Sequence, residues 1–439
     1  MFAHRSNTAS GSKVMAALAA SLALALIFPG VAGAAQKKKK NAADPNANLP
    51  KRVNFDISKI VWPSPPEIAR VKFVEQLTGE KIDFNRPVNK PQKPKQTWMD
   101  RLAGTKPQVD TVQDLPFQLV RTYGLAFDSK GYIYAADQAV GAIFIFNPDA
   151  DKKFDVKLIR NGKEAHFGLI NGLAIDDTDR LFVSDDQYHK VHVITPQHQE
   201  EAAFGADVLV RPGGMAIDEE NRFLYVVDTG SDVVDVFDAD SYKLLRKIGT
   251  PGKKHLLSDA GNFSLPTNVA VDKEGNVYVT DTLNNRVEIF DADGKFISAF
   301  GRSGDGPGHF ARPKGIAIDR DGHIWVVDAV QQRVQVFDTE GQLLIYFGQP
   351  GNWPGQFSAP YDIAIDPKNN RVVTSEQFPG RVQMFRYVTD AEAASEKASR
   401  ETQPDSTTTK PAEAPAQKPP EDAPQNNGAS AKAQGLVAP

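Results

Sequence analysis

"GIAIDRDGHIWVVDAVQQRVQVFDTEGQLLIYFG", residues 315–348, decides the fold. It holds four short runs rich in β-branched and aromatic residues, "GIAID", "IWVVD", "RVQVFD" and "LLIYFG", separated by turns rich in Asp, Gly and Gln. Runs of this length with turn signals between them read as an antiparallel meander of four strands. Asp319, Asp321 and Gly322 also begin a DxDG pattern of the kind that opens calcium loops, so the acids pose a choice between chemistry and punctuation.

The meander recurs. Its first strand appears as "GLAFD" at 124, "GLAID" at 172, "GMAID" at 214, "NVAVD" at 268, "GIAID" at 315 and "DIAID" at 362, spaced by 48, 42, 54, 47 and 47 residues. That is the length of one four-stranded propeller blade. Second strands follow as "YIYAAD", "LFVSD", "LYVVD", "VYVTD", "IWVVD" and "VVTSE", and third strands as "AIFIFN", "KVHVIT", "VVDVFD", "RVEIFD", "RVQVFD" and "RVQMFRY". Only five repeats have a fourth strand, because the last stops at Tyr387. The expected fold is therefore an all-β, six-bladed β-propeller of four-stranded antiparallel blades. The strand-like "RVKFVEQL" at 70–77, which stands before the first repeat, is expected to pair with residues 381–387 and close the last blade, since an open edge invites aggregation.

The repeats also judge the acids. The turn after each first strand reads "DSKG", "DDTD", "DEEN", "DKEG", "DRDG" and "DPKN", with Gly131, Asp179, Asn221, Gly275, Gly322 and Asn369 in fourth place. These residue types tolerate a left-handed backbone, and the leading Asp can accept amides within a tight turn. Calcium needs oxygens at fixed positions, whereas Asp321 is replaced by Lys130, Thr178, Glu220, Glu274 and Lys368 elsewhere. Asp137, Asp185, Asp228, Asp281, Asp328 and Glu376 end the second strands, with Arg286, Arg333 and Arg381 five residues on in three blades. A six-fold acid argues for a six-fold structural need, met by charge-assisted hydrogen bonds.

The ends differ in composition. Arg5 and Lys13 precede the apolar run "VMAALAASLALALIF", which leads through Pro29-Gly30 to the small-residue stretch "VAGAA". This pattern predicts a signal peptide over 1–34 and a periplasmic or secreted protein. The alternative is an uncleaved anchor over Val14–Ala35, close to the ~20 residues that span a bilayer. Residues 35–66 read as a flexible linker, 67–388 as the propeller with repeats from about 116, and 389–439, rich in Ala, Pro, Glu, Gln, Ser and Thr, as a disordered tail. "QTWMDRLAG" at 96–104 is amphipathic and predicts a helix docked through Trp98, Met99 and Leu102. The 439-residue chain has no Cys, which excludes disulfides, thiolate metal sites and a cysteine nucleophile, and its net charge of −4 gives no general pull toward nucleic acid.

The full repeat, best seen from Gly301 to Gly348, resembles the NHL-repeat propeller family over roughly residues 116–388. "IVWPSPPEIARVKFV" together with "WMDRLAG" is similar to an exported bacterial group of that family with no assigned role. Other members bind RNA, sense extracellular signals or, as a zinc-dependent lyase, cleave peptidyl-hydroxyglycine. The positions that the resemblance assigns to that lyase's zinc-binding histidines carry Asn171, Tyr361 and Asn262 here, and amides and a phenol do not replace imidazoles around zinc. His309 stands alone at the loop position of another blade, and His189 and His192 read as surface residues. No Ser/His/Asp set, phosphate loop or HExxH motif stands out.

In such a propeller the first strand of each blade lines a central channel, and the residues just before it ring one mouth. Here these are Tyr123, Asn171, Gly213, Thr267, Lys314 and Tyr361, with Asn268 and Asp362 one step deeper. A ring of aromatics, an amide, a hydroxyl and one cation suits a polar or peptide-like ligand. The expected function is a non-catalytic scaffold that binds a protein or small ligand. The alternative is a divalent-metal-dependent hydrolase or lyase around Asn171, Asn268 and Asp362, with RNA binding a third possibility that export and the acidic balance oppose. No cofactor, no nucleic-acid partner and a monomer are expected, with membrane contact only through an uncleaved leader.

Overall fold

The computed structural model describes residues 56–80, 117–149, 156–160, 167–250, 259–366 and 368–402. The signal segment, the linker before Asp56, the 96–104 segment and the tail beyond Thr402 lie outside them. Within the described residues five sheets have four antiparallel strands and one has five, and they form a six-bladed β-propeller. The innermost strands are Thr122–Phe127, Ile170–Ile175, Pro212–Asp218, Pro266–Val271, Pro313–Ile318 and Pro360–Asp366 in blades 1 to 6. Each contacts the next around the ring, and the sixth returns to the first.

Apolar faces explain the assembly. Second and third strands are buried on both faces and sandwich the hydrophobic layers between blades, as where Trp325, Val327 and Val336 of blade 5 meet Ile363, Val372 and Phe385 of blade 6. The outer strands are largely open to solvent instead, and that of blade 5 alternates, with Leu344 and Tyr346 exposed and Phe347 buried. Near-continuous apolar runs inside and alternation outside are what two-sided and one-sided burial require.

The ring closes as the sequence predicts. Val71–Leu77 pairs antiparallel with Gly380–Tyr387, from Val71 opposite Tyr387 to Leu77 opposite Val382. Two expectations need correction. The end of the 35–66 linker is structured: Val61–Trp62 adds a fifth strand to blade 6, and Trp62 packs against Phe347 and Phe385 at ring distances of 5.3 and 6.0 Å. The 389–439 tail begins as a helix, Asp390–Thr402. Thr389 and Glu392 form its reciprocal capping box, Glu392 N donating to Thr389 Oγ1 and Thr389 N to Glu392 Oε2. Arg70 meets Asp390, and Arg400 Nη1 donates to Pro66 O at 2.9 Å, so the helix docks beside the closing strand.

The repeated turns hold the expected chemistry with one adjustment. Asp128, Asp176, Asp272 and Asp319 each accept the amides two and four residues on. Gly131, Asp179, Gly275 and Gly322 take positive φ, but in blades 3 and 6 the left-handed residues are Arg222 and Asn370, not Asn221 and Asn369. In those two blades Asp218 and Asp366 pair with Phe223 and Arg371 across a four-residue turn.

Deleting residues 71–77 removes the partner of Gly380–Tyr387 and leaves blade 6 with an open edge. Insoluble or rapidly proteolysed protein is expected. Soluble protein with an unchanged melting temperature contradicts strand closure.

Candidate functional site

Neighbouring inner strands approach closely one step inside the mouth. A Cβ at Gly124, Gly172 or Gly315 would lie 2.5 Å from Asn171 O, 2.4 Å from Gly213 O and 2.6 Å from Asp362 Cα. These contacts are far inside van der Waals distance, so glycine is what lets neighbouring inner strands approach. The same position holds Gly214 in blade 3 but Asn268 and Asp362 in blades 4 and 6. Both of these side chains are buried. Asn268 Nδ2 donates to Asp362 Oδ1 at 2.6 Å, across the inner strand of blade 5, while Leu125 N of blade 1 donates to Asp362 Oδ2 at 2.9 Å. One carboxyl thus bonds to blades on opposite sides of the ring, and the two side chains fill the neck. Burial pushes Asp362 up to about 7 against the hydrogen bonds from Leu125, Ile363 and Asn268.

Above this floor the predicted mouth residues converge in part. The rings of Tyr123 and Tyr361 lie 4.5 Å apart and are tilted by 57°. Lys314 Nζ sits 4.8 Å from the Tyr361 ring centre, and burial with help from Arg312 lowers its pKa to about 8. Burial also raises the Tyr361 phenol. Asn171 and Thr267 are committed elsewhere. Asn171 accepts from Gln138 Nε2 at 3.1 Å and donates to Pro212 O at 3.1 Å, and Thr267 Oγ1 bonds Thr282 Oγ1 at 2.7 Å. Asn171 and Thr267 therefore serve the ring, while Tyr123, Lys314 and Tyr361 above Asn268 and Asp362 form the candidate site.

The backbone around the mouth is held by the six acids that end the second strands. Asp137 accepts Val120 N, Arg121 N, Ala139 N and Val140 N. Asp185, Asp228 and Asp328 repeat the arrangement. All six are fully buried, and each fastens the rim loop to the hairpin behind it. Arg286 and Arg381 bond Asp281 and Glu376 at 2.9 and 2.7 Å as expected. Arg333 does not join Asp328, whose oxygens are taken by amides, and donates to Asp305 O and Gly306 O instead.

Three hydroxyls that sequence reading missed stitch blade to blade. Ser184, Thr280 and Ser375 donate to Gly213 O, Lys314 O and Tyr123 O at 2.6, 2.7 and 2.6 Å. They belong to blades 2, 4 and 6, where blades 1, 3 and 5 have Ala136, Val227 and Val327. The signal was a small polar residue immediately before the acid in alternate repeats. His192 was also misplaced: it is fully buried, with Nδ1 2.8 Å from Glu200 and Nε2 3.2 Å from Asp185. It occupies a polar position of the third strand that Asp235, Glu288, Gln335 and Gln383 fill elsewhere, also buried. Gln335 and Gln383 use it to hold the rim loops at Gly308 and Gly355.

Metal chemistry finds weak support in these donors. Asp319, Asp321 and His323 lie close enough for one ion, but Asp319 already accepts the amides of Asp321 and His323, the Trp325 indole and His323 Nδ1. The calcium pattern is thus a turn. The three positions compared with the lyase's zinc ligands do not fit zinc either. The Asn171 oxygen accepts from Gln138, Asn262 is buried within blade 4, and Tyr361 packs on Tyr123. A separate cavity of about 420 Å³ opens at the far end of the channel, lined by Asp176, Asp177, Glu219, Asp366 and Lys368 among others.

Comparison with known proteins agrees with the fold. Residues 258–334 match a family described as 6-bladed beta-propeller. A Caenorhabditis elegans protein named probable peptidyl-alpha-hydroxyglycine alpha-amidating lyase is 32% identical over 112 residues, which span 25% of this chain and 30% of that protein. A Bacteroides thetaiotaomicron protein of unknown function superposes with a TM-score of 0.50 at 18% identity, covering 61% of this chain and 70% of its own. A Xanthomonas campestris gluconolactonase gives 0.48 at 16% identity over 61% and 86% of the two chains. The chain is a six-bladed β-propeller whose repeats are similar to those of NHL-type propellers.

Two outcomes follow from the neck. Gly315→Ala forces a Cβ against the Asp362 backbone and is expected to cost about 1–3 kcal/mol in denaturant unfolding; an unchanged midpoint contradicts the close approach. Asp362 keeps its proton in the folded chain up to about pH 7, whereas an unfolded Asp loses it near pH ~4. Its contribution to stability is therefore full below that value and drains away as pH rises toward 7. Glu288, also pushed up to about 7 by burial, acts in the same direction. Asp362→Asn is expected to shrink the fall in melting temperature between pH 5 and pH 8, and an unchanged fall contradicts the buried acid.

Proposed function

We propose that this propeller is a non-catalytic binding scaffold, and that its ligand enters the channel mouth and rests on the Asn268–Asp362 floor. The observation that carries the reading is that floor. A hydrogen bond joins the two buried side chains across the ring, beneath a mouth bordered by Tyr123, Tyr361 and Lys314. Aromatic faces with one cation beside them suit the binding of a small ligand. The enzymatic alternative draws on the relative named as a lyase, yet Asn171, Asn268 and Asp362 already spend their polar atoms on one another and on the ring.

We also propose an extracytoplasmic location, on the strength of Arg5, Lys13 and the apolar run that follows them. N-terminal sequencing of the protein recovered from cells is expected to find a start near Ala35.

Metal content and ligand retention test the functional reading together. Purified protein is expected to hold no stoichiometric divalent ion after dialysis. Native mass spectrometry after incubation with a small-molecule extract is expected to show an adduct that Tyr361→Ala loses. A stoichiometric ion that disappears in Asp362→Ala supports the hydrolase or lyase instead.

A further inference from the structure

The charges around the mouth are not those of the chain. The protein carries a net −4, yet three arginines stand along the rim. Arg121, Arg211 and Arg312 each stand two residues before the mouth residue of blades 1, 3 and 5, where blades 2, 4 and 6 have Leu169, Leu265 and Ala359. The backbone amides of the three arginines are pinned in the same way, to Asp137, Asp228 and Asp328, so their side chains leave the rim from equivalent points of alternate blades. All three residues are exposed. Arg121 lies over the Phe378 ring at 5.2 Å, Arg211 Nε is 3.6 Å from Asp186, and no carboxylate lies within salt-bridge distance of Arg312 among the described residues. Asp232, another acid near the rim, spends Oδ1 on Leu265 N.

Deeper in, Lys314 has no counterion among the described residues. Among the described residues its ammonium meets only the face of Tyr361, although it is largely screened from water and its backbone oxygen is held by Thr280. A desolvated cation loses hydration that a ring quadrupole restores only in part. An anion returns that loss with a charge-assisted hydrogen bond and draws the lysine back to its charged form. A neutral ligand leaves the cost in place, and a cation adds repulsion.

Resting on the reading of this mouth as a binding site, we propose that the group it recognises is anionic: the carboxylate or phosphate of a small organic molecule, held by Lys314, with the body of the molecule against Tyr123 and Tyr361. The rim arginines raise the local concentration of such a ligand and make its capture salt-dependent.

Calorimetric titration of the purified full-length protein with benzoate, phenyl phosphate and benzamide tests this, because the three share a ring and differ in the group it carries. Benzoate or phenyl phosphate is expected to bind at least about tenfold more tightly than benzamide, and which of the two leads identifies a carboxylate or a phosphate ligand. Lys314→Met is expected to lower that affinity by roughly 10- to 100-fold, and Arg312→Gln chiefly to weaken its salt dependence. Benzamide binding as tightly as benzoate, with both lost in Tyr361→Ala, overturns the anionic assignment and leaves the mouth as a site. Anion binding indifferent to both Lys314→Met and Tyr361→Ala places the probes elsewhere and overturns the mouth itself. Absence of saturable heat from all three probes at millimolar concentration also overturns the proposal.

Discussion

The structure depends on how closely six inner strands can approach around one axis. Where Gly124, Gly172 and Gly315 stand, the neighbouring backbone occupies the space a side chain would need, and where Gly214 stands the Asn268 side chain does. That crowding leaves room for few side chains at the neck, and the sequence places two there. Asn268 and Asp362 meet there in a single hydrogen bond, beneath the mouth residues. The cost is a buried carboxyl that burial holds near neutrality. That cost is tolerable because Asn268 Nδ2 and Leu125 N satisfy its oxygens.

Around this neck the blades follow two alternating designs. Even blades donate a hydroxyl, from Ser184, Thr280 and Ser375, to the carbonyls of Gly213, Lys314 and Tyr123 in the next blade. Odd blades receive that bond and carry the rim arginines. All three latched residues, Gly213, Lys314 and Tyr123, ring the mouth, so the bonds that join the ring also fix the backbone from which the phenol and the ammonium project. Rigid placement of a few polar groups over an aromatic wall lowers the ordering cost of binding. The six buried acids serve the same end by fastening each rim loop through backbone amides, which any loop sequence can provide.

The blade count, the closing strand and the structural role of the acids were legible because each repeats, and repetition separates a residue needed by the fold from one needed by a ligand. Tyr123, Lys314, Tyr361, Asn268 and Asp362 were legible as departures at a repeated position. What escaped was non-local or lay against the trend of composition. The bond between Asn268 and Asp362 joins residues 94 positions apart. His192 looked like a surface residue because its three-residue spacing from His189 puts the two on opposite faces of an extended chain, whereas it occupies a buried site that braces the strand against Asp185 and Glu200. The helix after Thr389 was hidden by the low-complexity tail that follows, although its capping box can be read as Thr389 and Glu392.

The central claim is that one side-chain bond closes the channel and floors the pocket. A double-mutant cycle on Asn268→Ala and Asp362→Ala, read by denaturant unfolding at pH 6, measures that bond most directly. The account predicts a coupling energy of about 1–3 kcal/mol between the two positions. Losses that add to within about 0.5 kcal/mol would show that the two side chains do not meet, and the pocket would have no floor.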